Sequence, residues 1–146
     1  AEHIVRQKAE PFLAKIQEKQ LIITADTLVW HQNQSLGKPE NAQEAKAMLK
    51  TLSNSTHEVI TAVGFLQKGS FETLCEVSKV TFGILSEPEI EHYVQTGSPL
   101  DKAGAYGIQD PFGVRHVTRI EGSYSNIIGL PVPQVLKKIQ EITVKN

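Results

Sequence analysis

Nine consecutive residues, Asp101-Lys102-Ala103-Gly104-Ala105-Tyr106-Gly107-Ile108-Gln109, carry a carboxylate, an ammonium group and a primary amide with little apolar content between them. Lys102 offers a point charge to an anion, and Gln109 offers both a donor and an acceptor to a polar edge. Gly104 and Gly107 let the backbone approach a ligand closely or take a positive φ. The same composition also serves an ordinary solvated turn, so the residue types alone leave both readings open. Asp26 follows the apolar run Leu21-Ile22-Ile23-Thr24-Ala25, and a carboxylate at the C-terminal end of a strand suits a metal ligand or a base. A helix cap or a turn would use it equally well. Lys38 stands between Gly37 and Pro39, which constrain its backbone and leave its side chain to reach outward.

Other chemistries find less support. The five histidines, His3, His31, His57, His92 and His116, show no HxxH, HxxxH or Cys-His spacing, which argues against zinc. His57 opens an apolar run and reads as a packing residue. Ser, His and Asp residues are present without a nucleophile-elbow motif, so a hydrolytic triad has no anchor. Cys75 is the single cysteine, which rules out a disulfide between residues of this chain and fits a reducing compartment. It reads as a small apolar strand residue.

The elements that must position these groups follow from periodicity and capping. Ile4, Val5, Ala9, Phe12, Leu13 and Ile16 give a helix over about 2–19, kinked or broken at Pro11. Residues 21–25 read as a buried strand, with 28–30 either continuing it or forming a second one. Asn41 with Glu44 caps a helix that runs to about Leu52. Residues 57–66 and 71–85 form a long antiparallel hairpin about the Lys68-Gly69-Ser70 break. Ser86-Glu87-Pro88-Glu89 opens a short helix that buries Ile90, Tyr93 and Val94 and stops at Gly97. Val114, Val117 and Ile120 suggest a strand over 114–120, and a last helix starts near 131–133. The order implies a single α/β domain with a mixed, partly antiparallel sheet flanked by helices.

Composition sets outer bounds. A length of 146 residues, 40% of them hydrophobic and 21% charged, suits one globular domain with a real core. A net charge of −1 argues against a broad nucleic-acid surface, though not against a small basic pocket. No apolar run approaches the ~20 residues that span a bilayer, so no membrane partner is expected. No signal peptide is visible, and the expected location is cytoplasmic.

Taken in order, Ala25-Asp26-Thr27, Gly37-Lys38-Pro39, Leu100 to Gln109 and Glu121-Gly122-Ser123-Tyr124-Ser125-Asn126 resemble the Maf family of nucleoside triphosphate pyrophosphatases, over about residues 21–136. The resemblance implies a Maf / ITPase-like fold. It also implies hydrolysis of a nucleoside triphosphate to the monophosphate and pyrophosphate, in a housecleaning role. In that family Asp26 matches the proposed base and holder of a divalent ion, Mg²⁺ or Mn²⁺. Lys38 and Lys102 match phosphate contacts. Asp101 falls in the same segment as Lys102, and Ser123 in the segment that shapes the pocket. Thr27 and Gln109 match the branch acting on dTTP and UTP, where Gln109 would pair with a pyrimidine edge. The resemblance also allows a homodimer. One motif of the family, Ser-x-Ser-Pro-Arg-Arg on a first strand, has no counterpart here, so the expectation is one domain over 1–146 that is N-terminally incomplete. That departure keeps open a non-catalytic nucleotide-binding or septum-related regulatory protein on the same fold.

Overall fold

The computed structural model describes residues 1–145. Five strands form one sheet in the order β2-β1-β3-β4-β5. They are β1 (Ile22–His31), β2 (Gln34–Leu36), β3 (Thr56–Gln67), β4 (Ser70–Phe82) and β5 (Val117–Glu121). Every described pairing is antiparallel, so antiparallel order extends across the whole sheet. The expected hairpin is its centre, with β3 and β4 paired from Thr56↔Thr81 to Gln67↔Ser70 around a turn at Lys68 and Gly69. Six helices surround it: α1 (Glu2–Ala9), α2 (Ala42–Leu52), α3 (Glu87–Gln95), α4 (Pro111–His116), α5 (Tyr124–Ile128) and α6 (Val132–Lys145).

Capping chemistry places several helix starts where the sequence does. The Asn41 side chain accepts from the Glu44 N–H at 2.8 Å, and the Ser86 side chain accepts from the Glu89 N–H. One boundary follows the expected break at Pro11, and two differ from expectation. The first helix breaks at Pro11 into a short 3₁₀ turn over Glu10–Phe12, because proline cannot donate to the preceding turn. β1 runs unbroken to His31, so Asp26 stands mid-strand and not at a strand end. The segment 114–116 is the end of α4, which Pro111 opens at its first turn, and β5 begins only at Val117.

Side-chain alternation divides the sheet into two faces. Val29, Val59, Val80 and Phe82 pack with Leu49, Ile90, Tyr106 and Phe112 into the larger core, under α2, α3 and the 98–110 loop. Val63 and Phe65 meet Val135 and Ile142 of α6. On the opposite face Leu66 packs with Ala9 and Ile16 of the N-terminal segment. β2 pairs only with Val29, Trp30 and His31, so among the described residues the edge of β1 over 22–28 carries no strand partner.

Candidate active site

A cleft of about 380 Å³ lies along that open edge, within the size range of small-molecule sites. One wall is strand. Asp26, Thr27 and Val29 line it from β1, and Lys8 reaches it from α1. The Lys8 ammonium donates to the Ala25 carbonyl at 2.7 Å and lies 3.9 Å from Asp26 Oδ1. The second wall is the loop after α3, which contributes Asp101, Lys102, Gln109 and Asp110. Lys38 closes the cleft from the segment after β2, and the backbone explains why it sits there: the Gly104 N–H donates to the Gly37 carbonyl at 3.1 Å. Gly104 makes that approach with φ of 71°, and a Cβ there would run into Val29 Cγ2.

Thr27 is held from behind. Its hydroxyl lies 2.9 Å from the Thr61 hydroxyl and 3.4 Å from the Gly129 carbonyl. Either hydroxyl can be the donor in the bond between the two threonines, and the single Thr27 proton has an inward acceptor in either case, Thr61 Oγ1 or the Gly129 carbonyl. What Thr27 presents to the cleft is therefore lone pairs only. Tyr106 is fixed in a similar way, with its hydroxyl 2.6 Å from His57 Nε2. Burial, then the nearby His31, pushes the His57 pKa down to about 4, and burial pushes the Tyr106 phenol up. Both groups are thus neutral at ordinary pH, as a buried hydrogen-bonded pair must be.

The loop carboxylates are ionised for different reasons. A hydrogen bond and the charge of Lys102 hold Asp101 below its usual value. Burial alone would raise Asp110, but hydrogen bonds from Tyr93 and Ser98 and the Lys102 charge outweigh it and hold it low.

Of the seven residues picked from sequence, Asp26, Thr27, Lys38, Asp101, Lys102 and Gln109 meet in this one cleft. Ser123 does not line it. Its side chain accepts from the Asn126 N–H at the start of α5, a helix-capping position. His57 packs in the core as expected. Lys46 and Lys50 bridge to Glu91 and Glu87 between α2 and α3, away from the cleft. Sequence reasoning missed Lys8 as a cleft residue, and singled out Asp110 only as part of a polar cluster on the loops flanking the last strand, with Glu121, Ser123, Tyr124, Ser125 and Asn126. Lys8 has one weak signal, since it directly precedes the buried Ala9 on a helix whose Val5 and Ala9 face inward. Among the described residues no three His, Cys, Asp or Glu side chains converge into a metal cage.

The family model described as Maf-like protein matches residues 1–142. The chain is 51% identical over 128 residues to a dTTP/UTP pyrophosphatase of Flavobacterium johnsoniae, covering 88% of this chain and 66% of the relative. It is 45% identical over 139 residues to a dTTP/UTP pyrophosphatase of Halalkalibacterium halodurans, covering 95% and 72%. A dTTP/UTP pyrophosphatase of Thermosipho melanesiensis is 45% identical over 134 residues, with 92% and 73% covered. The chain thus spans about two thirds of the length of the curated relatives it matches. A match running from the first residue to α6, over the elements that build both walls of the cleft, places this chain in the Maf family.

Proposed function

We propose that this chain is a nucleoside triphosphate pyrophosphatase that prefers dTTP and UTP. The observation that carries the reading is the meeting of one strand carboxylate, three lysines and one amide in a single cleft: Asp26, Lys8, Lys38, Lys102 and Gln109. In the reaction, water oxygen attacks the α-phosphorus, the bond from that phosphorus to the α–β bridging oxygen breaks, and pyrophosphate leaves. Asp26 accepts the proton of the attacking water. Lys8, 3.9 Å from Asp26 Oδ1, keeps positive charge beside the site of attack, while Lys38 and Lys102 face the remaining phosphate charge. At the base end, Thr27 offers acceptors only, and Gln109 supplies a donor and an acceptor. Together these suit a pyrimidine edge with one N–H between two carbonyls.

A divalent cation fits this donor set as a substrate-borne ion. Asp26 would hold it with a carboxylate oxygen, the hard donor type that suits Mg²⁺ or Mn²⁺. Such an ion, when bound, neutralises charge developing on the phosphates.

The test is product identity. With Mg²⁺ or Mn²⁺, dTTP and UTP should yield pyrophosphate and the monophosphate, ahead of dATP and GTP. Orthophosphate as first product would overturn the point of attack. Binding without turnover would leave a nucleotide-binding protein on the same fold.

A further inference from the structure

Tyr93, Ser98 and Asp110 are joined by a set of hydrogen bonds that no step of the proposed reaction uses. The Tyr93 hydroxyl donates to Asp110 Oδ2 at 2.7 Å, and it accepts from the Gly107 N–H at 3.0 Å. The Ser98 hydroxyl donates to the same Asp110 oxygen at 2.7 Å. Lys102 closes the circuit, donating to the Ser98 carbonyl at 2.8 Å and the Ser98 hydroxyl at 3.0 Å, with Asp110 Oδ2 at 3.9 Å. One phenol therefore grips both ends of the tetrapeptide 107–110, and Gln109 lies between the two grips. One carboxylate gathers the two hydroxyls and faces the ammonium of Lys102.

Two further observations bear on how these bonds set the geometry. A Cβ on Gly107 would meet Lys102 Cε at 2.8 Å and Asp110 Oδ2 at 3.1 Å, so the lysine stem and the carboxylate are folded down onto a bare backbone. Behind them, Tyr93, Ser98 and Asp110 also border a second cavity of about 560 Å³. Tyr106 and Ile108 anchor this wall in the core and Gly113 packs against the Gly107 carbonyl, while the polar side chains of the wall, Ser98, Lys102 and Asp110, are set by directed hydrogen bonds. The shift of the Tyr93 phenol agrees: burial and donation to Asp110 push it up, so it remains a donor at any working pH.

We propose that Tyr93 and Asp110 are positioning residues: they form a latch that fixes Gln109 and Lys102 together, coupling base choice to phosphate grip. The inference rests on the reading above for what Gln109 and Lys102 contact, but the latch has its own readout. Tyr93→Phe removes one oxygen and keeps the parallel stack on Phe112, whose ring centroid is 4.2 Å away, so the fold should survive. In Tyr93→Phe, amide exchange at 107–109 should accelerate roughly tenfold or more, since the change removes one neutral and one charge-assisted hydrogen bond, with β3 and β4 unchanged. The ratio of kcat/KM for UTP over GTP should narrow by about fivefold or more. Asp110→Asn keeps an acceptor for both hydroxyls and should retain most of the ratio, whereas Asp110→Ala should lose it. Unchanged exchange at 107–109 in Tyr93→Phe overturns the latch. So does faster exchange with an unchanged UTP/GTP ratio. If the wild type turns over no nucleotide, the proposed function fails, and the exchange measurement still decides whether the latch exists.

Discussion

The two walls of the cleft are built by different physics. Asp26 and Thr27 stand on β1, which is paired with β3 from Ile22↔Leu66 to Trp30↔Glu58. Their positions are set by backbone ladder bonds that no single side chain controls. Lys102 and Gln109 stand on a segment with no ladder, folded by 3₁₀ turns over Ser98–Asp101 and Ala103–Ala105 and by side-chain hydrogen bonds. A strand wall tolerates substitution of its neighbours and is sensitive only at the reacting group. A loop wall is sensitive wherever a supporting side chain or a bare glycine makes room for it.

The largest expected effect tests the strand wall. Asp26→Asn keeps size and removes basicity, so kcat for UTP should fall by roughly 10²-fold or more with little change in Tm. Near-wild-type turnover would remove Asp26 from the chemistry. Next comes the loop wall's support. A Cβ on Gly113 would collide with the Gly107 carbonyl and stand 2.9 Å from Ile108 Cα, all of it backbone. Gly113→Ala should therefore cost about 3 kcal/mol, read by urea unfolding. Gly107→Ala meets mainly the flexible Lys102 stem, so it should cost less stability and more activity. Equal stability losses would show that the two walls do not differ in this way.

A third test concerns the weld between the walls, His57 on β3 against Tyr106 on the loop. The His57 pKa is depressed in the folded protein, to about 4 from 6.5. The unfolded chain therefore binds the proton first, and stability present above pH 6.5 is lost as pH falls toward 4. Between pH 7 and pH 5 the loss should be about 2 kcal/mol from this group. His57→Gln should flatten that slope, and an identical slope in the variant would refute the assignment. The smallest effects are the lysines. Lys38→Ala and Lys102→Ala should each raise KM for UTP about tenfold, with Tm unchanged for Lys38→Ala and lowered for Lys102→Ala, which also loses its bonds to Ser98. Lys46→Ala, which loses only a surface pair to Glu91, should change neither by a measurable amount.

What the sequence made legible follows the same division. Caps at Asn41 and Ser86, and the hairpin at Gly69, are local chemistry, and each lies where local rules put it. The hairpin between β1 and β2 escaped those rules because its turn uses Gln32 and Asn33, with φ of 49° and 63°, and no glycine. α4 was hidden because Val114, Val117 and Ile120 are β-branched and read as strand formers, whereas Val114 is exposed on the helix. At the site, Asp26, Lys38, Lys102 and Gln109 were visible through residue type and setting, and Thr27 and Asp101 through the family resemblance. Lys8 was not, since a lysine on a short helix looks like solvated surface until long-range packing brings it in, and Asp110 stood out only as one of a polar cluster of loop residues.

The β3–β4 hairpin also dictates an order of assembly. Its rungs join residues adjacent through a short turn, so its loop closes early and at small entropic cost. Asp26 and Lys102 meet only after β1 has docked on β3 and the 98–110 segment has folded over Val29. The cleft is thus expected to be completed after the hairpin on refolding and to open before it under mild denaturant. In a urea series, nucleotide binding should disappear at concentrations where the hairpin amides are still protected. Simultaneous loss of both would mean that hairpin and cleft belong to one cooperative unit.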